Sequence, residues 1–143
     1  MIGHHISIRT HDIHKAIAFY EYLGFSMEER FTTGITLACW LKGKAGRIEL
    51  IQIPEPKPAP DAFHDEHYVG YYHFALDLTS SLKPQETLRT WIDNFRADME
   101  VREMKTKILL YPNQQQIGDK TYDVAFITDI DGLPIELLRE KPQ

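Results

Sequence analysis

The tripeptide Ile48-Glu49-Leu50 recurs near the other end of the chain as Ile135-Glu136-Leu137. Each copy ends a similar series of apolar patterns, so the chain is predicted to contain the same unit twice. Each unit has the order strand-helix-strand-strand-strand. The predicted elements of the first are a strand at 4–9, a helix at 12–23 and strands near 25–31, 35–41 and 46–53. Those of the second are a strand at 71–78, a helix from Ser80 or Ser81 with Pro84 to about residue 98, and strands near 103–111, 121–128 and 134–139.

A proline-rich stretch separates the two units. Pro54, Pro56, Pro58 and Pro60 alternate with other residues, and such a run can continue neither a strand nor a helix. We therefore expect a first βαβββ module over 1–53, an extended linker over 54–70 and a second module over 71–140, together in one α+β domain over 1–143. Residues 112–120 are polar and are predicted to form a mobile loop.

The recurring glutamates are accompanied by recurring histidines. The first predicted strand of each module contains a histidine on its polar face, His5 or His73, and the last contains Glu49 or Glu136; His4 has the opposite parity. Since side chains alternate along a strand, each of these residues lies on the face opposite its apolar neighbours. The apolar neighbours can then pack under a helix. The polar face of the sheets gains two imidazoles and two carboxylates.

This donor set predicts a metal centre. Two carboxylates that lie close together repel each other unless a proton or a cation intervenes. Two nitrogen and two oxygen donors suit a divalent first-row metal, with water molecules completing the coordination. Cys39 is the only cysteine, which argues against a closed thiolate zinc site. Open positions on the metal are typical of a catalytic site.

The other polar residues are weaker candidates for a functional site. A histidine or glutamate on a strand is usually solvated or paired, and only the recurrence favours metal binding by the four residues above. His64 and His67 fall in the linker, where a solvated loop is favoured over a second metal site. Cys39, beside Trp40, is interpreted as a packed strand residue rather than a nucleophile. The sequence contains no nucleophile elbow and no glycine-rich phosphate-binding loop.

Charge and hydropathy exclude several classes of protein. The net charge of −5 argues against a general nucleic-acid binder. No apolar run approaches the roughly 20 residues of a membrane span, and the first residues lack the apolar region of a signal peptide. With a single cysteine and no disulfide, the protein is expected to be cytoplasmic.

Three segments resemble the vicinal oxygen chelate superfamily, which comprises glyoxalases, bleomycin resistance proteins and dioxygenases. They are HHISIR (4–9) followed by HDIHKAIAFYEYLGF (11–25), GYYHFA (70–75) and FITDIDGLPIEL (126–137). Within this superfamily the chain is most similar to bacterial glyoxalase I. The resemblance implies a glyoxalase-like fold, in which the two modules form a curved mixed sheet with the helices on its convex side.

The resemblance also implies a ligand set and an activity. His5, Glu49, His73 and Glu136 match the metal ligands of bacterial glyoxalase I, with Glu136, or else Glu49, as the catalytic base. Arg9 matches an arginine that contacts glutathione. The implied substrate is a small molecule such as the hemithioacetal of methylglyoxal and glutathione. The implied cofactor is nickel or cobalt, with zinc, manganese or iron as alternatives. A homodimer is implied as well, although in relatives the cleft forms either within a chain or across a dimer.

Two departures from glyoxalase I keep other functions open. Ile53 stands where glyoxalase I has a glutathione-binding asparagine, and residues 112–116 replace its glycine-rich loop. One alternative is another enzyme of the superfamily, such as an epimerase or a small dioxygenase. The other is a non-enzymatic module that sequesters a drug-like ligand in an aromatic pocket. The pocket residues would be Phe63, Tyr68, Tyr71 and Tyr72.

Overall fold

A computed structural model describes residues 1–143 and confirms the α+β class with two βαβββ modules. The chain divides into two compact units, Met1–Pro58 and Ala59–Gln143. The elements of the first unit are β1 (Ile6–Thr10), α1 (Ile13–Tyr22), β2 (Ser26–Thr33), β3 (Thr36–Gly43) and β4 (Gly46–Gln52). Those of the second are β5 (Phe74–Asp77), α2 (Leu88–Val101), β6 (Ile108–Ile117), β7 (Lys120–Thr128) and β8 (Pro134–Glu140).

The first unit is a four-stranded mixed sheet with one helix. Its strand order is β1-β4-β3-β2, in which β1 runs parallel to β4 and the other pairs are antiparallel. Helix α1 begins after Asp12, whose side chain accepts a hydrogen bond from the backbone N–H of Lys15. The helix packs on the sheet through buried Phe19 and Tyr20, and Leu50 of β4 is fully buried. The face of β4 that carries Glu49 is therefore left clear of the unit's own helix.

The second unit repeats this arrangement. Its strand order is β5-β8-β7-β6, with β5 parallel to β8 and the other pairs antiparallel. Helix α2 is amphipathic and buries Ile92, Phe95 and Met99. Leu137 of β8 is fully buried, as Leu50 is in the first unit. Glu136 thus lies on the opposite face from the core in the second unit as well.

The second helix starts later than the sequence predicted. Its N-cap is Thr87, which accepts a hydrogen bond from the backbone N–H of Thr90 at 3.0 Å, and not Ser80 or Ser81. The predicted start is occupied by a turn in which the N–H of Ser81 donates to the carbonyl of Leu78. Serine and proline open turns as readily as helices, so the pattern was ambiguous there.

Residues 112–120 do not form the predicted mobile loop. They belong to a long hairpin in which β6 continues to Ile117 and β7 begins at Lys120, with Gly118 in the turn at φ 63°. Thr121 donates a side-chain hydrogen bond to Gln116 across the two strands. Both faces of this hairpin end are largely exposed, so the polar composition that predicts a loop is here compatible with paired strands.

Three strands begin later than predicted. β6 begins at Ile108 instead of residue 103, because the chain turns after α2 with Glu103 at φ 56°. β1 begins at Ile6 and β5 at Phe74, so His5 and His73 each directly precede a strand. No helix in the structure is both long and apolar enough to cross a membrane.

Candidate metal centre

The first unit brings His5 and Glu49 together. Residue 7 of β1 lies opposite Glu49 of parallel β4, so the residue just before β1 reaches the same carboxylate. His5 Nε2 lies 3.5 Å from Glu49 Oε1, with the side chains 28% and 14% exposed. His5 and Glu49 therefore lie within 4 Å of each other, and both side chains remain accessible from one face of the sheet.

Two donors hold the Glu49 carboxylate. Trp40 Nε1 donates to Oε2 at 2.9 Å, and Ser7 Oγ donates to Oε1 at 2.9 Å. Burial is the largest single influence and by itself raises the pKa of Glu49. The two hydrogen bonds, with His5 nearby, outweigh it and lower the pKa. Glu49 is thus a carboxylate at neutral pH, as a metal ligand must be.

His4 orients the His5 ring. The two Nδ1 atoms lie 2.8 Å apart, so one imidazole donates a proton and the other accepts it. This contact engages Nδ1 of His5 and leaves Nε2 directed at Glu49. Histidines that bind metals are typically held through their second nitrogen in this way.

The second unit brings His73 and Glu136 together. His73 Nε2 lies 3.8 Å from Glu136 Oε2, with the side chains 23% and 22% exposed. The Nδ1 atom of His73 is buried and has no hydrogen-bond partner. The arrangement repeats that of the first unit without its neighbouring hydrogen bonds.

Aromatic side chains surround the second pair. The Phe126 ring meets His73 edge to face at 5.0 Å and stacks with Tyr72 at 6.0 Å. Phe63 contacts Phe126 at 5.2 Å. Burial and the nearby charge of Glu136 raise the pKa of Tyr72, so its hydroxyl stays protonated. Tyr68 and Tyr71 of the predicted aromatic pocket are exposed.

The chemistry and spacing of each pair fit a divalent metal ion. Imidazole nitrogen and carboxylate oxygen bind such ions at about 2.0–2.2 Å, so two ligand atoms of one ion lie within about 4.2 Å of each other. The separations of 3.5 and 3.8 Å satisfy this limit. The structure contains no group of three or more His, Cys, Asp or Glu side chains arranged to hold a metal ion. Each pair offers two ligands, and a site built from both pairs stays a prediction.

The remaining predicted residues lie as follows. Arg9 is exposed on β1, at the same parity as Ser7 and opposite Ile51. His64 pairs with Asp61 on the surface. Cys39 is buried, and burial raises the pKa of its thiol. A protonated, inaccessible thiol is a poor nucleophile, in keeping with its interpretation as a packed residue.

Ser7 and Trp40 also border the site, and neither was predicted from the sequence as a neighbour of Glu49. Ser7 shares a face with His5, which was a usable signal. Trp40 lies on another strand, and only the register between β3 and β4 places it opposite Glu49. The residues of a single strand do not reveal that register.

The family of the chain follows from comparison with known sequences. The family model of the glyoxalase/bleomycin resistance protein/dioxygenase superfamily matches residues 4–126, which contain His5, Glu49 and His73. The chain belongs to this superfamily. Proteins of the superfamily generally use divalent metal ions and act on small molecules. Comparison with curated proteins gives no match.

Solved structures show the same superfamily fold. A glyoxalase family protein from Enterococcus faecalis is 20% identical with a TM-score of 0.65, covering 96% of this chain and 97% of that one. The fosfomycin resistance protein FosX from Listeria monocytogenes is 12% identical with a TM-score of 0.61, covering 99% and 94%. A glyoxalase I mutant from Zea mays is 18% identical with a TM-score of 0.66, covering 96% of this chain and 44% of that one.

Proposed function

We propose that the protein is a metal-dependent lyase or isomerase related to glyoxalase I. Its substrate would carry two adjacent oxygens, as in the hemithioacetal of methylglyoxal and glutathione. His5, Glu49, His73 and Glu136 are the proposed ligands of one divalent ion, with nickel or cobalt favoured over zinc, manganese or iron. The proposed assembly is a cytoplasmic homodimer.

The recurrence of the His–Glu pair carries this proposal. Both units place an imidazole within 4 Å of a carboxylate, on the sheet face opposite the core. The pairs occupy equivalent register positions in the two units, which supports a common function for them. The lowered pKa of Glu49 keeps this carboxylate charged at neutral pH.

The chemistry assigns each residue a task. A divalent ion held by these residues would supply positive charge to the substrate oxygens while a C–H proton is removed. Glu136 takes that proton and returns it to the neighbouring carbon, so substrate and product are isomers and no external oxidant is needed. Arg9 binds a carboxylate of the substrate.

Metal analysis and one assay test the proposal. Protein purified without chelators should contain stoichiometric divalent metal, and the loaded protein should convert methylglyoxal and glutathione to the thioester. Metal without this turnover would contradict glyoxalase I and favour another reaction of the superfamily. Protein that binds none of the five metals would contradict the enzyme proposal altogether.

Glu136→Gln tests the proposed base. It should lower kcat by about 10²–10⁴-fold, the usual contribution of a general base, with an unchanged circular dichroism spectrum. Glu140→Gln on the same strand is the matched control, because Glu140 pairs with Lys120 at the surface. Full activity of Glu136→Gln would contradict the assignment.

A second candidate function is supported by the aromatic cluster of Phe63, Tyr72 and Phe126 beside His73. Stacked rings suit a flat, apolar ligand, as in a drug-sequestering module. Equilibrium binding of planar aromatic compounds to metal-free protein, abolished by Phe126→Ala, would favour this function over the enzymatic one.

A further inference from the structure

The Glu49 carboxylate is held by partners on two neighbouring strands. In the sheet register, Ser7 of β1 and Trp40 of β3 are its direct cross-strand partners. Both side chains donate to it at 2.9 Å, one to each oxygen. The carboxylate is therefore fixed in orientation before any ligand arrives.

Glu136 occupies the equivalent position without these donors. Its cross-strand partners are Ala75 of β5 and Phe126 of β7. Alanine and phenylalanine side chains have no hydrogen-bonding atoms. The two modules thus carry the same candidate ligands, but only Glu49 accepts hydrogen bonds from the side chains of its cross-strand partners.

Trp40 is itself fixed by its surroundings. Its ring packs edge to face against Phe31 at 5.1 Å and His4 at 4.9 Å. The Arg47 guanidinium lies 5.9 Å from the ring centre. These contacts restrict rotation of the indole, so its N–H is an oriented donor and the Glu49 hydrogen bond is not an incidental surface contact.

We propose that Ser7 and Trp40 are positioning residues that orient the Glu49 carboxylate for metal binding, whereas Glu136, the proposed base, has no such donors beside it. This inference rests on the proposed function. A carboxylate oriented in advance binds a metal with a smaller loss of entropy, and partners of this kind strengthen metal sites. A carboxylate that takes up a proton from the substrate needs freedom to reorient. These two requirements match the observed difference, since hydrogen-bond donors flank Glu49 and are lacking beside Glu136.

Trp40→Phe and Ser7→Ala test the inference, because they give the first pair the side-chain chemistry of the second. Each should weaken the affinity for cobalt(II) or nickel(II), measured by chelator competition, by about 10–100-fold. Each should also change the visible absorption of bound cobalt(II). Ser7→Thr should restore most of the affinity, since it restores the hydroxyl. Trp91→Phe and Ser80→Ala are the matched controls, because Trp91 lies on α2 and Ser80 lies in the turn before it.

The reverse substitution, which adds a donor beside Glu136, tests whether the lack of donors there matters. Ala75→Ser places a hydroxyl opposite Glu136, and Ala75 is exposed, so the change is not expected to disturb the core. The variant should bind metal more tightly and have a lower kcat with little change in KM. Unchanged affinity and unchanged kcat would overturn the claim that these donors distinguish the pairs.

The outcomes separate this inference from the proposed function. Wild-type protein that binds no metal overturns both. Wild-type protein that binds metal, together with Trp40→Phe and Ser7→Ala variants of the same affinity and spectrum, overturns only the positioning role. A loss of affinity confined to these two variants, with rescue by Ser7→Thr, supports it.

Discussion

The Asp129 carboxylate accepts a hydrogen bond from the backbone N–H of Leu133 at 2.9 Å and fixes the turn that leads into β8. The same oxygen accepts a second hydrogen bond from the N–H of Asp131, and Asp129 is almost fully buried. Gly132 completes the turn at φ 87°, a conformation that favours glycine. This turn determines where β8 begins and therefore the position of Glu136 in the sheet.

Asp129→Ala should therefore destabilise the fold. The substitution leaves two backbone N–H groups without a charged acceptor, and we expect the free energy of unfolding to fall by about 2–3 kcal/mol. Urea denaturation provides the measurement. Asp129→Asn keeps an acceptor oxygen and should lower the free energy of unfolding by less. Equal losses in the two variants would contradict the importance of this acceptor.

Removal of either proposed ligand histidine, His5 or His73, should weaken metal binding and leave the metal-free fold nearly intact. His73→Ala removes no hydrogen bond at Nδ1, which has no partner, so the melting temperature of metal-free protein should change little. The dissociation constant for nickel(II) or cobalt(II) should rise at least about 10-fold in His5→Ala and in His73→Ala. His67→Ala, in the exposed linker, is the control. Retained affinity in either ligand variant would exclude that histidine from the site.

The buried leucines that follow the two glutamates should contribute equally to the stability of the fold. Leu50 and Leu137 are both fully buried next to Glu49 and Glu136. Truncation of either to alanine leaves a cavity and should lower the free energy of unfolding by about 2–5 kcal/mol. Leu37→Ala, at a position 43% exposed, should cost clearly less. Denaturant titration of the three variants measures these losses. Clearly different losses for Leu50→Ala and Leu137→Ala would contradict the prediction.

The Glu28–Arg47 ion pair should make a small, pH-dependent contribution to stability. Arg47 donates to both carboxylate oxygens, at 2.7 and 3.1 Å, and this hydrogen bonding lowers the pKa of Glu28 below its ordinary value of 4.5. Stability from a lowered pKa is complete above the unfolded value and is lost as the pH falls through the folded one.

Melting curves check this prediction. Glu28→Gln should lower the melting temperature slightly at pH 7, and wild type and variant should converge as the pH falls through the lowered pKa of Glu28. The pair is exposed, so the difference at pH 7 should also shrink in high salt. A difference that persists in acid would assign the effect to packing instead of charge.

The elements that the sequence predicted well are those with a strong local pattern. Helix α1 has an apolar face, a capping aspartate and a glycine after its end, and it lies where expected. The predicted start of α2 was wrong, because Ser80, Ser81 and Pro84 suit a turn as well as a helix. The 112–120 hairpin was missed because its strands bury almost nothing, so no apolar alternation marks them.

By itself, the sequence determined that the chain contains two βαβββ modules and that a histidine and a glutamate recur in each, because hydrophobic period and repetition are local properties. Only the tertiary structure decided which residues hold those glutamates. Trp40 and Ser7 reach Glu49 from different strands, whereas Ala75 and Phe126 flank Glu136. Strand register sets these neighbours, and register depends on the packing of the whole sheet.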